Sequence, residues 1–186
     1  FETYLPDYND ELIMLSYINI LQANNLDNLA KTHIEKLEFL ESRILVRMYS
    51  KSLSKLNEVD EAVSYLESFI KSSSVIDREV SLELVALYLK QNNDKKASLL
   101  IDDLISVDPT DDNFLFRVAL LCFDADNYSL SEKYFNILLS KSYSTDNINY
   151  FLGQIDYRNK RYEEALLHYN KICLLYTSDA ADEFSC

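Results

Sequence analysis

The sequence predicts an all-α protein built as a right-handed α-solenoid of about five helix-turn-helix hairpins. Small residues recur at intervals of 32, 35, 34 and 34 residues, and they are Ala30, Ala62, Ala97, Ser131 and Ala165. A period of about 34 residues is typical of a two-helix unit in which a small residue lets the paired helices approach closely. Gly153 is the only glycine and there are two prolines, too few for tight sheet hairpins or phosphate-binding loops.

The charge balance of the chain narrows the classes of partner. The formal net charge is −13, which disfavours attraction to nucleic-acid phosphates or to an anionic membrane surface. No stretch reaches the roughly 18–20 continuous apolar residues that a membrane-spanning helix requires. We therefore expect neither a nucleic-acid partner nor a membrane span, and we leave the compartment open between the cytoplasm and the periplasm or envelope.

Five pairs of helices follow from the helical spacing of the apolar residues. The predicted pairs are 9–24 with 26–40, 42–56 with 58–72, 76–91 with 94–107, 112–125 with 128–141, and 145–159 with 162–172. The first two pairs rest on periodicity alone. Leu45, Tyr49 and Leu53 share one helical face, and Leu66 and Ile70 share another.

The third and fourth pairs also carry signals for helix ends. Pro109 follows the third pair, where its missing N–H and its fixed φ stop a helix. Asp111 or Asp112 can then cap the next helix by accepting its free N–H groups. Ser131 takes the small position in the fourth pair.

The fifth pair carries the most specific motif. Leu152 and Gly153 lie within its first helix, Ala165 lies near the start of its second helix, and Tyr169 follows one turn later. A glycine permits a short distance between helix axes, and Tyr169 is expected to close the space between the helices. This unit resembles the tetratricopeptide repeat, in which a Leu-Gly pair, an alanine and an aromatic residue have the same order. The resemblance covers 75–172 closely and 9–74 loosely.

The resemblance to the tetratricopeptide family implies a domain and a function class. Proteins of this family bind other proteins or peptides, and the first helices of their hairpins line a concave groove. The implied domain is 1–172, with repeats at roughly 9–40, 42–72, 76–107, 112–141 and 145–172. The last unit is also similar to the terminal repeats of large proteobacterial tetratricopeptide proteins.

Residues 173–186 have a different character. The eleven residues from Cys173 to Glu183 resemble the forward translation of a transposon-type sequencing adapter. We interpret 173–186 as a non-native tail and exclude it from functional argument. Without the tail, Cys122 is the only cysteine, and one cysteine builds neither a disulfide framework nor a thiolate metal site. Because the chain begins at Phe1, we expect an internal fragment of a longer protein.

Equivalent positions on the first helix of each hairpin predict a groove whose character changes along the chain. Cations dominate the second hairpin and aromatic residues dominate the fourth and fifth. The predicted partner-binding residues are Arg47, Lys51, Lys55, Phe116, Phe123, Tyr150, Gln154, Tyr157 and Arg158. On an acidic protein a cationic stripe is expected to steer an acidic segment of a partner. Aromatic side chains are expected to anchor that segment.

The same residues have plainer interpretations that the sequence leaves open. Arg47, Lys51 and Lys55 would serve equally well as a solvated face that pairs with nearby acidic residues. Phe116 and Phe123 would serve as core between helices.

The sequence offers no catalytic or metal-binding constellation. His33 and His168 lie on different repeats, without a second histidine or cysteine at ligand spacing, and we expect each at the surface or its boundary. Cys122 lies in an apolar run and is expected in the core. We therefore expect no enzyme activity, no cofactor and no metal.

Three hypotheses about function follow. The favoured one is a non-catalytic scaffold that binds a peptide or partner protein along the groove. The second is a regulatory or targeting arm of a larger enzyme whose catalytic domain lies outside this fragment. The third is a spacer that joins domains or self-associates without a ligand groove.

Overall fold

The computed structural model describes residues 11–37, 42–73 and 75–182, and the side chains of 173–182 are not described. Within these ranges the chain forms ten helices and no strand. Their bounds are Glu11–Ala23 (α1), Asp27–Glu35 (α2), Arg43–Lys55 (α3), Val59–Ser72 (α4), Arg78–Lys90 (α5), Asp94–Val107 (α6), Asp112–Asp124 (α7), Tyr128–Ser140 (α8), Thr145–Arg158 (α9) and Tyr162–Asp182 (α10). The predicted all-α class and the order of the helices are confirmed.

Two helix ends differ from the prediction. The second helix was expected to reach residue 40, but α2 ends at Glu35, because the N–H groups of the next residues bond three residues back in a tighter turn. Residues 38–41 lie outside the described part of the chain, as do residues 1–10 at the predicted start. The last helix, α10, continues past 172 to Asp182, and no glycine or proline interrupts it.

The chain divides into two compact units, Phe1–Ile101 and Asp102–Cys186. In the first unit α3 packs against α4 of its own hairpin, and it also contacts α1 and α2 of the preceding hairpin and α5 of the next one. In the second unit α7 packs on α8 and α9 packs on α10, while α8 also contacts α9. Successive hairpins within each unit are therefore in direct contact.

The recurring small residues are all buried. Their exposed fractions are 0–2% at Ala30, Ala62, Ala97, Ser131 and Ala165. Ser131 Oγ donates a hydrogen bond to the Ala119 carbonyl at 3.0 Å, which ties α8 to α7. A Cβ placed on Gly153 would lie 2.7 Å from Cε1 of Tyr169. The paired helices therefore approach each other closely in the fourth and fifth hairpins.

Every hairpin turns through a residue in the left-handed conformation, five residues before its small residue. These residues are Asn25, Asn57, Asn92, Asp126 and Lys160, with φ between 56° and 66°. The residue after each of them donates its N–H to the carbonyl five residues earlier, at 2.8–2.9 Å. This bond satisfies a carbonyl that would otherwise be left open at the end of the first helix.

The predicted helix signals near Pro109 are also present. Helix α6 ends at Val107, two residues before the proline. Asp111 Oδ1 accepts the N–H of Phe114 at 2.9 Å, so the cap of α7 is Asp111 rather than Asp112.

Candidate partner-binding groove

Three positions on the first helix of each hairpin form what we call the groove stripe. They lie 15, 11 and 8 residues before the small residue. The first positions are Leu15, Arg47, Leu82, Phe116 and Tyr150; the middle positions are Asn19, Lys51, Ala86, Leu120 and Gln154; the last positions are Gln22, Ser54, Leu89, Phe123 and Tyr157. Two predicted site residues, Lys55 and Arg158, each directly follow a last position.

An open groove lies between α1, α3 and α5 in the first unit, with a cavity volume of about 430 Å³. Its lining residues are Leu15, Ser16, Asn19, Gln22, Ile44, Arg47, Met48, Lys51 and Glu83. The lining combines apolar side chains, amides and charges of both signs. Stripe positions of the first two hairpins therefore line one groove, and the lining includes the predicted residues Arg47 and Lys51 but not Lys55.

Lys51 and Arg47 differ in how far the protein itself satisfies their charge. Arg47 Nη2 lies 3.4 Å from Glu83 Oε1 and 3.9 Å from Glu79 Oε2, both on α5. Lys51 is exposed and makes no hydrogen bond or ion pair with another described residue. Lys51 is thus the cation of this groove that remains available to an acidic ligand.

Lys55 is engaged in a contact between hairpins. Its Nζ donates to the Gln22 carbonyl at 3.1 Å and lies 3.4 Å from Asp27 Oδ2. Lys90, at the equivalent position of the next hairpin, donates in the same way to the Ser54 carbonyl at 2.8 Å. In both cases a cation reaches the end of the preceding first helix, where the carbonyl groups carry partial negative charge.

Arg158 makes the corresponding contact in the second unit. Its guanidinium lies over the rings of Phe123, at 5.2 Å, and Tyr128, at 5.4 Å. Its Nη1 is 3.1 Å from Asp126 Oδ1, and its hydrogen bond to Tyr128 raises the pKa of Arg158. Because Phe123 is the last stripe position of the preceding hairpin, Arg158 follows the pattern of Lys55 and Lys90.

Phe116 and Phe123 belong to an aromatic cluster centred on Phe151. The ring of Phe151 lies 6.2 Å from Phe116 and 5.3 Å from Phe123, and it stacks on Phe135 at 5.2 Å. Phe116 and Phe123 are half-buried. Their contacts are those of core residues between hairpins, with part of each ring left at the surface.

The tyrosines of α9 are the most open part of the predicted site in the second unit. Tyr150 is 49% exposed and Tyr157 is 59% exposed, and Gln154 between them is half-buried. Tyr150 makes an edge-on ring contact with Phe151, and Tyr157 makes one with Tyr162. This face is accessible to a partner.

His33 contradicts the expectation of a surface or boundary position. It is buried, its Nε2 lies 3.4 Å from Tyr17 Oη, and the two rings meet edge to face. The phase of α2 places His33 on the same face as the buried Ala30 and Ile34. Burial lowers the pKa of His33.

His168 lies at the boundary, as expected. Its Nδ1 is 2.8 Å from Asn149 Oδ1 and its Nε2 is 3.6 Å from Asp156 Oδ2. Burial lowers the pKa of His168. Among the described residues no group of His, Cys, Asp and Glu side chains is placed to hold a metal ion. In the same residues no helix has the length and apolar character needed to cross a bilayer.

Of the nine lining residues only Arg47 and Lys51 were predicted, and Glu83 is the charged residue among those that the sequence analysis missed. It lies directly after a first stripe position, where the fifth hairpin has Phe151. Phe151 contacts the first stripe position of the preceding hairpin, and Glu83 does the same with Arg47. Comparing equivalent positions of neighbouring hairpins, rather than positions within one helix, would have found it.

No protein-family model and no curated protein matches the sequence. Among solved structures, MamA (residues 41 to the end) from Desulfovibrio magneticus RS-1 is similar, with a TM-score of 0.62 and 15% identity over 94% of this chain and 98% of that chain. YrrB, described as a TPR protein with an unusual peptide-binding site, has a TM-score of 0.55 and 13% identity over 88% of this chain and 84% of that chain.

The human IFIT1 dimer with PPP-AAAA is also similar, with a TM-score of 0.56 and 18% identity over 88% of this chain and 40% of that chain. Identities of this size show a shared fold. The chain has the fold of the tetratricopeptide-type helical repeat proteins that it resembles.

Proposed function

We propose that this chain is a non-catalytic scaffold that binds an acidic peptide segment of a partner protein in the groove between α1, α3 and α5. The observation that carries the proposal is the exposed Lys51, which lines this groove without an ion pair to another described residue. A carboxylate of the ligand would meet the Lys51 ammonium, and the Asn19 amide lines the same groove. The peptide-binding site named for YrrB, a protein of the same fold, supports the proposal.

The other groove residues define what the ligand should look like. Leu15, Ile44 and Met48 line the groove with apolar surface, so an apolar residue next to the acidic one would gain contact area. The Glu83 carboxylate opposes binding of an acidic ligand, because it repels the ligand's charge and holds Arg47 in an ion pair. We therefore propose a segment in which acidic and apolar residues alternate. The net charge of −13 argues against nucleic acid as the partner.

Titration of a labelled, extended peptide of alternating Glu and Leu, followed by fluorescence anisotropy, tests this proposal. Lys51→Glu is expected to weaken binding at least tenfold, since it replaces the attracting charge by a repelling one. Lys95→Glu makes the same change of charge on the exposed start of α6, outside the lining, and is expected to leave the affinity within about twofold.

Glu83→Gln provides a test in the opposite direction. Removal of this carboxylate releases Arg47 for the ligand, and the affinity for the acidic peptide is expected to rise several-fold. A matched peptide with Lys in place of Glu is expected not to bind. Equal affinity of the unmodified protein for both peptides, or no response to Lys51→Glu, would refute the proposal.

A second protein-binding face is proposed on α9 in the second unit. Tyr150 and Tyr157 lie on the same face of α9, two helical turns apart, and Gln154 lies between them. Both tyrosines are about half exposed. Tyrosine supplies contact area at low cost in conformational entropy, together with a hydroxyl for hydrogen bonding. This face rests on contacts made by the other predicted residues of the second unit. Phe116 and Phe123 contact Phe151, and Arg158 contacts Tyr128. We do not assign these three side chains to the binding face itself.

A further inference from the structure

Another cavity of the first unit lies at the turn between α1 and α2, beside the end of α3, and has a volume of about 540 Å³. The turn residues 25–29 line it, together with Lys55 and Leu56. It is therefore formed by two consecutive hairpins, and it shares no lining residue with the groove between α1, α3 and α5. Its volume is within the range of roughly 300–1,000 Å³ that is usual for ligand pockets.

Three leucines line this cavity at repeat positions where the other hairpins are mostly polar. At the position of Leu26, four residues before the small residue, the other hairpins have Glu58, Asn93, Asn127 and Arg161. At the position of Leu56, six residues before the small residue, they have Asn24, Gln91, Ala125 and Asn159. Leu29 directly precedes Ala30, where three other hairpins have Glu61, Lys96 and Glu164. Leu26 and Leu29 are 49% and 42% exposed, so this edge carries open apolar surface.

Leu26 does not benefit the helix that it precedes. Asn93 Oδ1 accepts the N–H of Lys96 at 3.2 Å, and Asn127 Oδ1 accepts the N–H of Leu130 at 3.1 Å, so each of these equivalents caps the helix that follows it. Leu26 makes no such bond to α2. A leucine at this position costs α2 its cap and leaves apolar surface in water, which indicates a contact with another molecule.

Asp27 adds a buried acceptor to the same cavity. Its side chain is 7% exposed, and its Oδ2 lies 3.4 Å from Lys55 Nζ. Its Oδ1 is buried and accepts no hydrogen bond from any other described residue. A buried acceptor without a donor is costly, and a ligand that brings one donor would remove this cost. Because Asp27 and Lys55 already neutralise each other, we expect an uncharged donor, since a second cation would be repelled by the Lys55 ammonium.

We propose that this cavity binds a tryptophan side chain of a partner protein. The indole N–H donates to Asp27 Oδ1, and the ring packs against the three leucines. Indole is neutral, carries one donor and no acceptor, and has a large apolar body. It therefore matches a lining of three leucines and one unsatisfied acceptor. The site and its ligand class are separate from the groove and its acidic peptide, so this inference does not rest on the proposed function.

Fluorescence of a capped peptide with one tryptophan flanked by alanines tests the proposal on the full chain. This chain contains no tryptophan, so emission excited where tyrosine does not absorb comes from the peptide alone. Addition of the protein is expected to shift this emission to shorter wavelength until it saturates, because the ring leaves water. A peptide with 1-methyltryptophan, which lacks the indole N–H, is expected to bind at least fivefold more weakly. No shift, or equal affinity for the two peptides, would overturn the proposal.

Leu26→Asn separates binding from folding. It introduces the residue that caps two later hairpins, so the protein is expected to melt at a higher temperature. It also removes one apolar wall, and the affinity for the tryptophan peptide is expected to fall at least fivefold. Leu99→Asn makes the same substitution at a side chain that is 59% exposed on α6, outside the lining, and is expected to leave the affinity within about twofold. Unchanged affinity of Leu26→Asn would overturn the proposal.

Asp27→Ala tests the assigned hydrogen bond, and circular dichroism checks that this variant is folded. Without the acceptor, the tryptophan and 1-methyltryptophan peptides are expected to bind equally. A preference for tryptophan that survives in Asp27→Ala would contradict the assigned bond.

The acidic peptide is measured on the same samples and separates this site from the groove. Lys51→Glu is expected to leave binding of the tryptophan peptide unchanged, and Leu26→Asn is expected to leave binding of the acidic peptide unchanged. Loss of tryptophan-peptide binding in Lys51→Glu but not in Leu26→Asn would place this ligand in the groove and overturn the present inference alone. Binding of the tryptophan peptide without binding of the acidic peptide would refute the groove function alone.

Discussion

At the scale of single residues, Gly153 shows how one missing side chain sets the distance between two helices. A Cβ at this position would lie within 3.0 Å of three ring atoms of Tyr169, whereas carbon atoms pack at about 3.5–4.0 Å. Both the glycine and the tyrosine lie within one hairpin. Their pairing is therefore predictable from the repeat motif.

Gly153→Ala is expected to lower the free energy of unfolding by about 1–2 kcal/mol, because the ring and the helix must separate. Alanine in an unobstructed helix would instead raise it by about 1 kcal/mol. Urea denaturation followed by circular dichroism measures the change. In a Tyr169→Ala background the same substitution is expected to be neutral or stabilising. An equal loss in both backgrounds would contradict the role of this contact.

The contacts of Lys55 and Arg158 could not be predicted from the spacing of residues within a single helix. Both were predicted from their place on a helical stripe, yet their partners lie on the preceding hairpin. A cation on a surface pairs with whatever carbonyl or ring the neighbouring repeat presents, and the spacing within one helix does not contain that information. His33 is a different case, because its partner Tyr17 lies in its own hairpin and its spacing from Ala30 on α2 is visible in the sequence.

At the scale of elements, the turns between paired helices carry a constraint that hydrophobic periodicity does not report. Four of the five left-handed turn residues are Asn or Asp, whose short polar side chains tolerate this conformation. The fifth is Lys160, which pays the steric cost of a Cβ next to the following carbonyl. A column of Asn and Asp five residues before the small residue is visible in the sequence and would have predicted these turns.

Lys160→Asn is expected to raise the free energy of unfolding by about 0.5–1 kcal/mol, because asparagine relieves the strain of a positive φ. Thermal and urea denaturation measure the gain. Lys171→Asn, at an exposed position in the interior of the regular helix α10, is the matched control and is expected to lower the free energy of unfolding by a few tenths of a kcal/mol. A change of the same sign at both positions would argue against strain at Lys160.

At the scale of the whole molecule, each compact unit contains one histidine whose pKa is lowered by burial, His33 in the first and His168 in the second. Tyr17 faces His33, with Lys36 adding a repelling charge. Asn149 and Asp156 face His168. Below the ordinary histidine pKa of about 6.5 the unfolded chain therefore binds more protons than the folded protein.

The free energy of unfolding is expected to be highest above about pH 6.5 and to fall as the pH drops from there toward the lowered pKa values. Urea denaturation at pH 7.5 and pH 5.5 measures the difference in a range where carboxylates contribute little. His33→Gln and His168→Gln are each expected to reduce this difference. A double variant that keeps the full pH dependence would show that neither histidine is its source.

The fixed turn position has a consequence for the history of the gene. Asn57 and Asn92 have the same left-handed conformation and precede Ala62 and Ala97 by the same number of residues. Unequal recombination between their codons would therefore remove or duplicate one complete repeat. The recombined chain would still have an asparagine with positive φ at the turn. The N–H of the next residue would still bond to the carbonyl at the end of the preceding helix. Such a locus can gain or lose binding modules without having to evolve a new junction.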